Sequence, residues 1–167
     1  MTSGRFVKSH ATESPIVKDA IRSHEKNLPV EVAGDANHVR RWMVGKVPVS
    51  VRPPHLGLSG GGVALVGARI VHLQDRDAAQ ILYRVGQSNV TVYVFDASGM
   101  PMNAPRKRIV DNREIFVDHA RGYNVVFYRD HDVGYAFTSD LEEDLMLQLV
   151  SAALDPAAVD SDADRDR

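Results

Sequence analysis

The sequence predicts an α+β domain. Its centre is a mainly antiparallel sheet of six or seven strands, covered by an N-terminal helix, a short second helix and a C-terminal helix. Three observations carry this. Between Gly62 and Asp96, three apolar runs rich in β-branched residues (Val63 to Leu73, Ala78 to Val85, Val90 to Phe95) are separated only by turn residues. Parallel neighbours need a crossover of a dozen or more residues, so these runs pair as an antiparallel meander. Further strand-like runs, Ile115 to His119, Tyr123 to Tyr128 and Tyr135 to Thr138, follow with links of hairpin length. Clear helix signals stand outside these blocks, towards the two ends of the chain.

In order, residues 1–13 are polar and small and are expected to be a flexible lead-in. Ser14 and Pro15 then suit the N-cap and first position of a helix, with Val17, Ala20, Ile21, His24 and Leu28 as its apolar stripe and Pro29 as its stop. Val30 to Val32 reads as a short edge strand. Asp35 caps a second helix through Met43, turning Val39, Trp42 and Met43 inward, with Gly45 as its left-handed terminator. Val47 to Val51 alternates like an edge strand before Pro53 and Pro54 break it. Leu56 to Gly62 is a glycine-rich loop, and Gly67 marks a bulge or bend in the strand that follows.

Asp75-Arg76-Asp77 and Gly86 to Asn89 are the meander's expected turns, and Asp96 to Lys107 is its least structured sequel. Near the end, Ser139 with Glu142 forms a capping box opening a helix to about Leu154. Leu141, Leu145, Leu149 and Ala153 make its buried face, flanked by Met146 and Val150. Residues 14–154 form the domain, and 155–167, acidic and poor in apolar residues, are expected to be a disordered tail.

Composition removes several function classes. A formal net charge of -2 argues against a nucleic-acid binder, which needs a basic face. With no cysteine there are no disulfides, thiolate metal sites or thiol chemistry. No stretch approaches the roughly 20 apolar residues of a membrane helix, and the start has no apolar signal core.

Candidate chemistry is sparse. Gly60-Gly61-Gly62 and Gly67 lack the Lys and Ser or Thr of a phosphate loop, since Ala68 and Arg69 follow Gly67. The seven histidines form no short ligand pair. His24 on the helix stripe reads as a hydrogen-bonded, partly buried imidazole. No metal is expected. If there is one, His119 and His131 with Asp118 are its candidate ligands, which makes a small metal- or ligand-binding module the alternative reading. Met100 and Met102 are a soft-metal pair or, more commonly, contact residues in a loop. Ser59 lies outside a nucleophile elbow, and Glu142-Glu143-Asp144 suits a helix first turn. An enzyme of unrecognised mechanism is a further alternative with no constellation to rest on. Arg40-Arg41 and Arg106-Lys107-Arg108 read most simply as solvated charge, with an acidic partner or lipid headgroups as the alternative.

Several motifs resemble one family. His38, Val39 and Trp42 fit a segment H-x-V-x-x-W, and Pro53 is the counterpart of the proline in the strand that follows it in the family. Gly62, Leu65, Val66, Gly67 and Arg69 fit a G-F-x-L-V-G-G-R-L element; Ala78, Ala79, Leu82, Tyr83 and Arg84 fit A-A-x-L-x-Y-R. With Gly122 to Val126, Tyr135 and Ser139-Asp140-Leu141, these resemble the extracytoplasmic region of bacterial membrane-anchored anti-sigma factors over most of residues 16–154. Met43 and Val63 stand where the family has Phe, which keeps the packing. The family's sigma-binding helical domain and membrane helix have no counterpart here.

The resemblance implies a non-catalytic sensor or regulatory domain acting in transcriptional control, periplasmic within its parent membrane protein. Taken alone, without signal or span, the chain would be cytoplasmic. It implies a protein partner or small signal and no cofactor, contact with a membrane only through an upstream segment, and room for a homodimer. The irregular stretches Pro53 to Gly62 and Asp96 to Lys107 are the expected recognition surfaces. The candidate contact residues are Trp42, Arg69, Tyr83, Met100 and Met102, although Trp42 also suits the core.

Overall fold

A computed structural model describes residues 14–154; the expected lead-in and acidic tail lie outside the described residues. The elements are α1 (Pro15–Lys26), β1 (Val32–Ala33), α2 (Ala36–Met43), β2 (Val63–Leu73), β3 (Arg76–Val85) and β4 (Ser88–Asp96). They continue with β5 (Arg106–Val110), β6 (Arg113–Ala120), β7 (Tyr123–Asp130), β8 (Val133–Ser139) and α3 (Glu143–Leu154). The strands form one antiparallel sheet in the order β1-β2-β3-β4-β8-β7-β6-β5. It is thus two meanders joined where β4 meets β8.

The eighth strand is β5, whose first two residues, Arg106 and Lys107, fall in the stretch expected to be irregular. Its Arg106-Lys107-Arg108 shows no apolar alternation, so nothing local marks it as a strand. The turn after it does: Asp111 and Asn112 both take positive φ (50 and 63), the two-residue hairpin geometry these side chains tolerate. The β2–β3 turn is likewise Gln74-Asp75 (φ 52 and 59), not Asp75 to Asp77, because Arg76 already pairs with Leu73.

Both faces of the sheet are buried. On one, Ile81, Tyr83, Val92, Val94, Val126 and Phe137 pack under α2, α3 and the segment between α2 and β2. On the other, Tyr93, Phe95, Val125 and Phe127 pack under α1 through Ile16, Val17, Ala20 and Ile21. Successive residues of a strand point to opposite faces, so β4 reads as a continuous apolar run.

Four expectations change in detail. Val47 to Val51 forms no strand: Pro48 removes a ladder donor, and the segment crosses the face irregularly with Val47 and Val51 buried. Leu28 is 41% exposed, and Ile16 takes its place in the stripe of α1. Ser139 ends β8 rather than capping α3; its hydroxyl donates to the Asn89 carbonyl at 2.8 Å and accepts from Leu141 N–H at 3.3 Å. α3 therefore starts later and buries Met146, Leu149 and Val150 most deeply. The expected irregularity at Gly67 is present as a register shift between Leu65 and Gly67. A Cβ at Gly67 would lie 2.2 Å from the Val32 carbonyl oxygen, so only glycine lets β1 approach β2.

Candidate functional site

β1 covers only a short stretch of β2, pairing at Gly67 and Ala68. The hairpin phase decides which backbone groups face outward. Leu73 and Arg76 flank a two-residue turn and bond each other, so alternate residues up the strand point away from β3. Accordingly, the Ala68 carbonyl accepts from Glu31 N–H at 2.8 Å and Ile70 N–H donates to the Glu31 carboxylate at 2.8 Å. Beyond the bulge the same alternation turns the main chain of Val63 and Leu65 outward.

Here an open groove of about 430 Å³ runs along the sheet, lined on one side by Val63, Leu65 and Tyr83. Pro53 to Leu56 form its second wall and Gly34 to Ala36 its third. Tyr83 is buried and its hydroxyl donates to the Pro54 carbonyl at 2.5 Å, which pins the proline wall to β3. Asp35 is committed to capping α2, accepting from His38 N–H at 2.8 Å. Gly34, at φ +145, sits where a Cβ would meet the His38 ring at 2.8 Å, so glycine sets this wall's shape. Apolar side chains beside outward main-chain groups suit an extended peptide or a small, largely apolar ligand.

Of the residues expected to make contacts, only Tyr83 lines the groove. Trp42 is half-buried on α2 and packs on the same core; Lys46 Nζ lies 4.6 Å over its ring and donates to its carbonyl at 2.7 Å. Arg69 donates to the Pro29 carbonyl at 2.6 Å, clamping the link between α1 and β1. Met100 and Met102 pack against the core on the opposite, α1 face. These residues do not converge on one site.

The candidate metal ligands do not converge either. Asp118 and His119 end β6, whereas His131 lies in the β7–β8 turn, so the length of β7, about 20 Å, separates them. His119 Nδ1 is 3.0 Å from Asn124 Oδ1, and His131 Nδ1 is 2.9 Å from Asp130. Among the described residues no group of three or more His, Asp or Glu side chains is placed to hold an ion. Nothing local marks Val63 and Leu65 as groove residues, because an uncovered strand edge depends on where β1 stops.

A second polar feature lies under α1. His24 Nδ1 is 2.9 Å from Thr91 Oγ1, Thr91 donates to Tyr93 Oη at 3.3 Å, and Tyr93 donates to the Ala20 carbonyl at 3.0 Å. With that direction, Nδ1 carries the hydrogen and the chain of donors closes back on α1. Burial lowers the pKa of His24, against the opposing pull of the Asp140 and Glu25 carboxylates. Burial likewise pushes Tyr93 up to about 12. Beside it, Ser23 donates to Gln80 at 2.8 Å, while the Tyr123 ring meets His24 edge-on at 5.2 Å.

Among the described residues no helix is long and apolar enough to cross a membrane. Compared with family models, characterised proteins and solved structures, the chain has no significant match.

Proposed function

We propose that this chain is a non-catalytic sensor or regulatory domain of the kind carried outside the membrane by anchored anti-sigma factors. The groove beside β2 is then where its signal or protein partner is read. In the parent protein it faces the periplasm, and it acts in transcriptional control by favouring one of two conformations on binding. The observation that carries this reading is the groove itself: outward main chain at Val63 and Leu65, walls of mostly apolar side chains with Asp35 and His55 among them, and a proline wall pinned by Tyr83. The motif resemblance across residues 16–154 supports the family, and the lining offers side-chain and main-chain contacts for binding.

The test is genetic and biophysical together. Leu65→Glu places a charge in the groove at a half-buried position. In the parent protein it is expected to abolish the signal response of a sigma-dependent reporter while leaving the circular dichroism spectrum unchanged. A folded variant with full response would sink the assignment.

A further inference from the structure

We propose that Tyr128 and Tyr135, with Arg52 and Arg113 on the rim, form a second binding site, and that its ligand is a small monocarboxylate with an apolar body. This stands apart from the groove reading: the groove lies beside β2, whereas this cluster sits on β7 and β8 at one end of the α2–α3 face. Tyr128 and Tyr135 are direct partners across β7 and β8, so their side chains leave the same face. Their rings stack at 5.1 Å with 17° between the planes, which sets the two hydroxyls side by side.

These hydroxyls lack what a buried tyrosine ordinarily has. Tyr128 is only 4% exposed and Tyr135 is half-buried, yet neither hydroxyl has a hydrogen-bond partner among the described residues. Tyr83 and Tyr93, buried as deeply, donate to the Pro54 and Ala20 carbonyls. A buried hydroxyl whose bond is left unmade costs stability. Burial pushes both hydroxyls up from the usual tyrosine range, so at neutral pH each still carries the hydrogen to donate. The pair is two donors awaiting an acceptor from outside.

Charge defines that acceptor. The Arg113 guanidinium lies within electrostatic reach of both hydroxyls, and that of Arg52 within reach of Tyr135. Arg52 is exposed and makes no ion pair or hydrogen bond among the described residues, while buried Val51 and Pro53 on either side fix its backbone. Arg113 faces Asp130 at 3.4 Å. Two guanidiniums against one carboxylate leave one positive charge, which a single carboxylate neutralises and a phosphate dianion exceeds. An oxygen of that carboxylate set between the hydroxyls accepts from both, with Arg52 closing on it from the open side. Val133, two residues before Tyr135 on the same face, and Val110, opposite Arg113, are partly buried and give the ligand's body an apolar seat.

Titration of the full chain with sodium benzoate, followed by nuclear magnetic resonance, tests this. Benzoate is expected to give amide shifts at Arg113, Tyr128 and Tyr135 that saturate by about 10 mM, whereas benzamide, the same shape without the charge, gives none. Arg52→Gln, and Tyr128→Phe combined with Tyr135→Phe, should each weaken benzoate roughly tenfold. Because Tyr128→Phe removes a hydroxyl with no partner in the free protein, its urea midpoint should stay the same or rise. Shifts that do not saturate, equal binding of benzamide, or a lower midpoint for Tyr128→Phe would overturn the proposal. Inorganic phosphate binding more tightly than benzoate would overturn the choice of a carboxylate.

Discussion

Two residues show how tightly single positions are constrained. Gly134 pairs directly with Phe95 across β4 and β8, and a Cβ there would lie 2.4 Å from the Phe95 ring. Phe95 is fully buried, so the ring has nowhere to go, and Gly134→Ala is expected to cost about 1–3 kcal/mol in urea unfolding. His24 sets a pH dependence. Its folded pKa lies below the ordinary 6.5. A base so depressed contributes stability that is fully present above its unfolded value and falls as pH drops through 6.5 towards the folded one. Groups facing it from the packed elements are Thr91 and Tyr93 of β4, Tyr123 of β7, Asp140 after β8 and its own neighbour Glu25. Stability should be lower at pH 5.5 than at 7.5, and His24→Asn should shrink that difference; a difference unchanged in the variant would refute the assignment. His24 was legible in the sequence as a half-buried imidazole because it sits on an apolar stripe. Its partners were not, because Thr91 is 67 residues away and nothing local couples them.

Among the elements, β1 shows most clearly how one strand depends on its neighbour. It is two residues long and survives because Gly67 lets its backbone come close and Glu31 N–H bonds the Ala68 carbonyl. Gly67→Ala sets a Cβ against a carbonyl oxygen, which cannot swing aside as a side chain does. The expected outcome is release of β1, seen as faster exchange of the Glu31 amide, with a loss of about 1–3 kcal/mol; an unchanged Glu31 rate would disprove it. Helices α1 and α2 and the central meander were readable from caps, prolines and periodicity. Where local signals and the fold differ, a long-range partner overrides the local preference. Ser139 serves Asn89 across the sheet instead of capping α3, and β5 is a strand because its turn and β6 make it one, despite three consecutive cations. The groove was legible only as a loop, Pro53 to Gly62, since its other wall belongs to β2 and its outline to the point where β1 ends.

At the scale of the whole molecule, the two cores are the two faces of one sheet, so neither can melt alone without exposing the strands that hold the other. A single cooperative transition follows. Trp42, the chain's one tryptophan, reports on the α2–α3 face, and its fluorescence should change in urea together with the far-ultraviolet circular dichroism of the whole. Two separated midpoints would contradict this. The fold class was legible from the sequence, whereas the strand order was not, because the contact that decides it joins β4 to β8 and its partners are about forty residues apart in the chain. That seam has a practical corollary. Every hairpin of β2 to β4 lies before residue 97 and every hairpin of β5 to β8 after residue 105, and only the connecting segment passes between them. Severed between residues 101 and 104, the polypeptide yields two pieces that each keep their local pairings and each present one bare apolar strand to the other. On mixing, they should recognise one another through that strand and restore the tryptophan signal of the uncut protein, making this domain a natural candidate for fragment complementation.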